Sequence, residues 1–123
     1  MERVLGVGGI FFKSKDPARL KAWYREHLGR PTDEHGETTF TAAHDPGAVL
    51  VWSPFPTDTK YFEPSQSSFM INFRVRDLRA MLAQLRAAGA EVDEKVQEEP
   101  YGKFGWVLDP EGNRIELWEP PPS

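Results

Sequence analysis

Glu116 has the most chemical potential of any residue in this chain. It lies in Arg114-Ile115-Glu116-Leu117-Trp118, where strand alternation turns Ile115 and Leu117 to one side and Glu116 and Trp118 to the other. A carboxylate flanked by indoles would be partly desolvated, one route to a general acid or base. The bland alternative is that Glu116 pairs with Arg74 or has no role. Trp52, Trp106 and Trp118 are flat apolar surfaces suited to a planar ligand, or else they fill an interior. Lys13 and Arg74, if turned inward, would hold a carboxylate or phosphate; otherwise both lie in water. Tyr101, beside Gly102 in the loop Glu98-Glu99-Pro100-Tyr101-Gly102-Lys103, is the loop residue best placed to touch a ligand.

Other chemistries lack their residues. The chain has no cysteine, so thiolate metal sites, disulfides and cysteine nucleophiles are excluded. Of the histidines, His27 belongs to a helix face, while His35 and His44 stand in polar turns. Glu34, His35 and Glu37 form a charged loop that binds at most an adventitious cation. No serine-nucleophile motif, phosphate-cradling loop or dinucleotide fingerprint occurs, and Gly6-Val7-Gly8-Gly9 does not precede a helix.

The elements that must position these residues repeat. Val4 to Lys13 reads as a buried strand, Asp16-Pro17 as a helix start, and Leu20, Trp23, Tyr24, His27 and Leu28 as a helical face stopped by Gly29. Thr38 to Ala43 and Ala48 to Pro54 read as strands about the turn His44-Asp45-Pro46-Gly47. The order then recurs. Phe69 to Val75 is a strand, and Asp77 starts a helix carrying Leu78, Met81, Leu82 and Leu85, which Gly89 ends. Glu91 to Gln97 is a weaker strand, and Lys103 to Leu108 pairs with Arg114 to Glu119 across Asp109-Pro110-Glu111-Gly112-Asn113. Ile10, Phe12, Lys13 and Asp16 return at constant offset as Ile71, Phe73, Arg74 and Asp77, and Trp52-Ser53-Pro54 returns as Trp118-Glu119-Pro120. Such a repeat decides the fold class more than any single motif. The expectation is one α+β domain over residues 1–123: a first module of about 1–54, a linker of about 55–68 and a second module of about 69–120.

In the second module Ile71, Phe73 and Val75 are the apolar, helix-facing set, which leaves Met70, Asn72 and Arg74 on the opposite face. By the repeat, Gly9, Phe11 and Lys13 share that face in the first module, with Leu50 and Trp52. If Leu108 pairs with Arg114, Trp106 falls opposite Glu116 and Phe104 opposite Trp118.

The segment Asp-Pro-Glu-Gly-Asn-Arg-Ile-Glu-Leu-Trp-Glu-Pro within Phe104 to Pro120 resembles the closing hairpin of the vicinal oxygen chelate superfamily. That superfamily includes glyoxalases, bleomycin resistance proteins and extradiol dioxygenases. Lys15-Asp16 followed by Ala22-Trp23-Tyr24 resembles its opening motif. The resemblance implies two βαβββ modules whose curved mixed sheets enclose a cup. It also implies four cup-facing ligands in metal-dependent members. Here those positions fall on Gly9, Leu50, Met70 and Glu116, and a single carboxylate does not make a divalent site. No cofactor is therefore expected, and a divalent metal is disfavoured. The functional expectation is a metal-free small-molecule binding protein holding a planar or anionic ligand. Its cup would be lined by Phe11, Lys13, Trp52, Met70, Asn72, Arg74, Tyr101, Trp106 and Trp118. The alternative is a glyoxalase-, lyase- or dioxygenase-related enzyme using Glu116 as base or residual metal ligand. A homodimer is what the resemblance implies. The formal net charge of -4 gives no support for nucleic acid or an anionic membrane. No apolar run reaches the roughly 18 residues that span a bilayer. The opening Met1-Glu2-Arg3-Val4-Leu5-Gly6 lacks a signal-peptide layout, so a cytoplasmic address is expected.

Overall fold

A computed structural model describes residues 1–3, 5, 7–29 and 38–122. The readings placed on Val4, Gly6, Glu34, His35 and Glu37 lie outside the described residues. Helix α1 spans Pro17–Leu28 and begins as its sequence dictates: the Asp16 carboxylate accepts from Arg19 N at 3.2 Å, and Pro17 needs no N–H partner. Gly29, at φ 80°, ends it in the left-handed conformation.

Strand β1 (Ile71–Arg74) leads to α2 (Leu78–Ala87), capped by the Asp77 carboxylate on Ala80 N at 3.0 Å. Strands β2 (Glu91–Val92), β3 (Gln97–Glu99), β4 (Gly102–Leu108) and β5 (Arg114–Glu119) follow. They form one five-stranded mixed sheet in the order β1-β5-β4-β2, with β3 also paired to β4. β1 lies parallel to β5, and β4 and β5 are the antiparallel hairpin, in the register Leu108↔Arg114, Trp106↔Glu116 and Phe104↔Trp118. The strand expected over Glu91 to Gln97 is broken, because the Asp93 carboxylate accepts from Lys95 N at 2.9 Å and turns the chain out of the ladder.

One face of this sheet meets α2. Leu78, Leu82 and Leu85 pack on Val107, Ile115 and Leu117, and all six are buried, while Tyr24, Phe73 and Val75 close the cluster's margin. Gly105 lies beneath α2, where a Cβ would stand 3.0 Å from Leu82, so its lack of a side chain lets the helix approach. The hairpin turn is tied from within. Buried Asp109 accepts from Glu111 N (2.8 Å), Asn113 N (3.0 Å), Asn113 Nδ2 (2.8 Å) and the Tyr24 hydroxyl of α1 (2.8 Å).

The first module departs from its expected strands. Among the described residues, Val4 to Lys13, Thr38 to Ala43 and Ala48 to Pro54 contribute no strand, and Ile10, Phe12 and Leu50 are exposed. A strand's register is held by a buried face, and Gly8 and Gly9 have no side chains to supply one. This part of the chain meets the second module through scattered side-chain contacts. Phe12 lies 5.4 Å from Phe69, Phe40 lies 6.0 Å from Phe73, and Asp45 pairs with Arg74. No helix among the described residues is long and apolar enough to cross a membrane.

Candidate functional site

Three neighbouring strands place three polar side chains in one row on the sheet face opposite α2. β5 contributes Glu116, and the registers set Asn72 of β1 on one side of it and Trp106 of β4 on the other. Glu116 is buried, and its carboxylate is the acceptor for the whole row. Asn72 Nδ2 donates to Oε1 at 2.8 Å and Trp106 Nε1 donates to Oε2 at 3.0 Å. A third donor arrives from the linker: the Tyr61 hydroxyl also donates to Oε2. Burying a carboxylate is costly unless donors converge on it, and here they come from three separate elements.

Aromatic rings wall the carboxylate. Tyr61 meets Trp106 edge-on at 6.3 Å, and Phe55 stacks on Tyr61 at 5.8 Å with an interplanar angle of 15°. Arg114, two residues before Glu116 on the same strand face, lays its guanidinium 4.8 Å from the Trp106 ring and 5.8 Å from the Tyr61 ring. Its Nη1 donates to Glu63 O at 2.6 Å, and its buried Nε has no partner. A cleft of about 190 Å³ opens beside it, lined by Pro64, Val92, Asp93, Trp106, Leu108 and Arg114. Burial, reinforced by the hydrogen bond to Glu116, raises the Tyr61 pKa above its ordinary value, so the phenol remains a donor.

Further along the hairpin, Phe104 and Trp118 stack in parallel, 6.1 Å apart with 6° between their planes. Trp118 Nε1 donates to Tyr101 O at 2.9 Å, and the Tyr101 ring meets Phe104 edge-on at 5.7 Å. Gly102 is required between them: at φ 135° it occupies a conformation other residues avoid, and a Cβ there would stand 2.3 Å from Trp118 Nε1.

The residues singled out from sequence therefore divide. Glu116, Asn72 and Trp106 are joined directly, while Trp118 and Tyr101 form the adjoining platform and Met70 is half-buried at the head of β1. Arg74 turns away from Glu116. Its guanidinium pairs with Asp45 at 2.6 Å and donates to Val49 O, which corrects the reading in which Arg74 pairs with Glu116. Phe11, Lys13 and Trp52 are exposed and stand apart from this cluster. Sequence reasoning missed Tyr61 and Arg114. Alternation already placed Arg114 on the Glu116 face, and the aromatic run Tyr61-Phe62 in a polar linker was the trace of the other.

The donor set does not fit a divalent metal. Gly9 and Leu50 carry no ligating atom, Met70 offers a thioether unsuited to a hard ion, and both oxygens of Glu116 already accept hydrogen bonds. His27 packs on Trp23 at 5.2 Å and His44 contacts Thr41 Oγ1 at 2.9 Å, each away from Glu116. Among the described residues no group of three His, Asp or Glu side chains is arranged to hold a metal.

Comparison with known proteins gives a consistent frame. The family model described as "Glyoxalase-like domain" matches residues 9–118. Among curated proteins, none matches the sequence. Several solved structures share the fold. TnmS3, an antibiotic binding protein from Streptomyces sp. CB03234, is 24% identical, with 87% of this chain and 88% of that one covered at a TM-score of 0.53. A glyoxalase-related enzyme from Fulvimarina pelagi is 18% identical, with 94% and 88% covered at 0.58. A glyoxylase/bleomycin resistance protein/dioxygenase domain from Frankia sp. EAN1pec is 17% identical, with 97% and 100% covered at 0.56.

Proposed function

The chain belongs to the glyoxalase-like domain family, and from that premise we propose that it is a metal-free, cytoplasmic, homodimeric protein that binds a planar small molecule on the sheet face around Glu116. The observation that carries this reading is the parallel Phe104–Trp118 stack beside a buried carboxylate, an apolar surface with one polar end. Small-molecule sites are mostly apolar with a few fixed polar groups, and this face has that composition. Glu116 is held as an acceptor by three side chains, an arrangement that suits a fixed polar anchor for a ligand. The structural likeness to an antibiotic binding protein is compatible with a binding role. The homodimer is supported by the exposed apolar residues Val7, Ile10, Phe11, Val49, Val51 and Trp52, which a second copy would cover.

Native mass spectrometry on protein purified without chelator, followed by a thermal-shift panel of planar compounds, tests both parts. The expected result is a metal-free dimer whose melting temperature at least one planar compound raises, since a ligand that binds only the folded state must stabilise it. A bound divalent ion, or a panel with no stabiliser, would overturn the proposal.

A further inference from the structure

The linker residue Tyr61 occupies the site much as a ligand would. Its ring lies against Trp106 and Phe55, the Arg114 guanidinium lies 5.8 Å from its centroid, and its hydroxyl donates to the buried Glu116. The residue is nevertheless 36% exposed, so its ring can leave toward solvent. Few bonds hold the surrounding segment to the sheet: Arg114 Nη1 to Glu63 O at 2.6 Å and Ser67 Oγ to Asn113 Oδ1 at 2.7 Å stand on either side of Pro64. We infer that Tyr61 is an internal stand-in for the ligand, and that the ligand is an aromatic hydroxyl compound which displaces the Tyr61 ring and donates its own O–H to Glu116. This inference rests on the proposed binding role and names the chemistry that role selects.

Three features define that ligand class. An entering molecule must supply a donor, because evicting Tyr61 leaves Glu116 Oε2 with the Trp106 indole alone. A ring is needed to restore the contacts that the Tyr61 ring makes with Trp106 and Arg114. An anionic oxygen is excluded next to the carboxylate, so the hydroxyl must stay protonated. The raised pKa of Tyr61 agrees with this, since burial and Glu116 hold that phenol in its neutral form.

The test removes the stand-in and offers its side chain back. Tyr61→Ala is titrated with 4-methylphenol, toluene and 4-methylanisole by calorimetry and thermal shift. The expected result is that 4-methylphenol binds at least about tenfold more tightly than either analogue, the discrimination one hydrogen bond to a charged acceptor provides. Tyr61→Val, which keeps an apolar wall, receives the same titration and decides the matter should the alanine variant fail to fold. Equal binding of all three compounds would overturn the inference and leave an aromatic-binding site intact. Binding of none would overturn it as well. The planar panel on the unaltered protein reports separately on the proposed function, so the two failures are distinguishable.

Discussion

Replacing Glu116 tests whether its carboxylate is the structural hub of the site, and the cost follows from which donors can find another partner. In Glu116→Gln, the amide oxygen can take the place of Oε2 and keep both Tyr61 and Trp106. The new NH2 then faces Asn72, whose amide can invert and present its oxygen. All three contacts survive as neutral hydrogen bonds; the lost charge assistance, about 1 kcal/mol per bond, is largely offset because a neutral amide costs less to bury than a carboxylate, which leaves a net loss of about 1 kcal/mol. In Glu116→Leu no acceptor remains. Asn72 is exposed and turns to water, and Tyr61, 36% exposed, largely does the same. The Trp106 residue is only 2% exposed, so its indole N–H is orphaned, at a cost of about 1–3 kcal/mol. With the lost bonds added, leucine should destabilise by about 2–4 kcal/mol, a large part of the 5–15 kcal/mol typical of a whole domain. Urea unfolding followed by circular dichroism resolves this, because a slope of about 1–3 kcal/mol per molar makes it a midpoint shift on the order of 1–2 M. Adding Trp106→Phe to Glu116→Leu removes the orphaned donor and should cost less than the two single changes combined. If leucine unfolds within about 0.5 kcal/mol of glutamine, Glu116 does not satisfy the indole and the hub reasoning is wrong.

Two further predictions concern the scaffold. Burial, and then the hydrogen bond to Asp109, raises the Tyr24 pKa above its ordinary value of 10.0, so its contribution is complete below pH 10 and is lost as pH rises beyond it. Unfolding free energies measured from pH 9 to 11 should fall with a slope of up to about 1.4 kcal/mol per pH unit from this residue; Tyr24→Phe should flatten that slope, and an unchanged slope would remove Tyr24 from the alkaline response. Gly105→Ala would set a methyl 3.0 Å from Leu82 and 3.4 Å from Leu78, both on the buried face of α2. Overpacking there should cost about 1–3 kcal/mol in urea unfolding, and a neutral or stabilising result would show that α2 yields easily.

The second module was legible because several signals coincided on the same residues. Alternation in Arg114 to Glu119, a turn with Asp, Pro and Gly, and the pairing of Val107 with Ile115 favour the register in which Leu108 meets Arg114, and that register is the one observed. The helix starts were equally plain, since Asp16 and Asp77 each precede an apolar helical face and each caps it. Tyr61 was not legible in its role. A linker has no ladder and no periodicity, so nothing in its spacing tells which way a side chain turns. The turn of Asp109 was visible as a turn, but the approach of Tyr24 to it depends on how α1 packs across the sheet. For the first module, apolar content suggested strands, yet a strand exists only where a partner backbone meets it, and residue types do not name that partner.

The site's location follows from this division. Glu116 lies at the centre of the sheet because β5 is flanked on one side by a parallel strand and on the other by an antiparallel one. Its neighbours Ile115 and Leu117 are locked under α2, and alternation then leaves Glu116 no direction except the opposite face. Asn72 and Trp106 are brought to it by the two ladders. The second module thus holds the carboxylate and two of its three donors without help from the rest of the chain. Only Tyr61 comes from outside the sheet, on a segment with few ties to it. Among the donors to Glu116, it is therefore the one that can exchange with a ligand while the sheet stays unchanged.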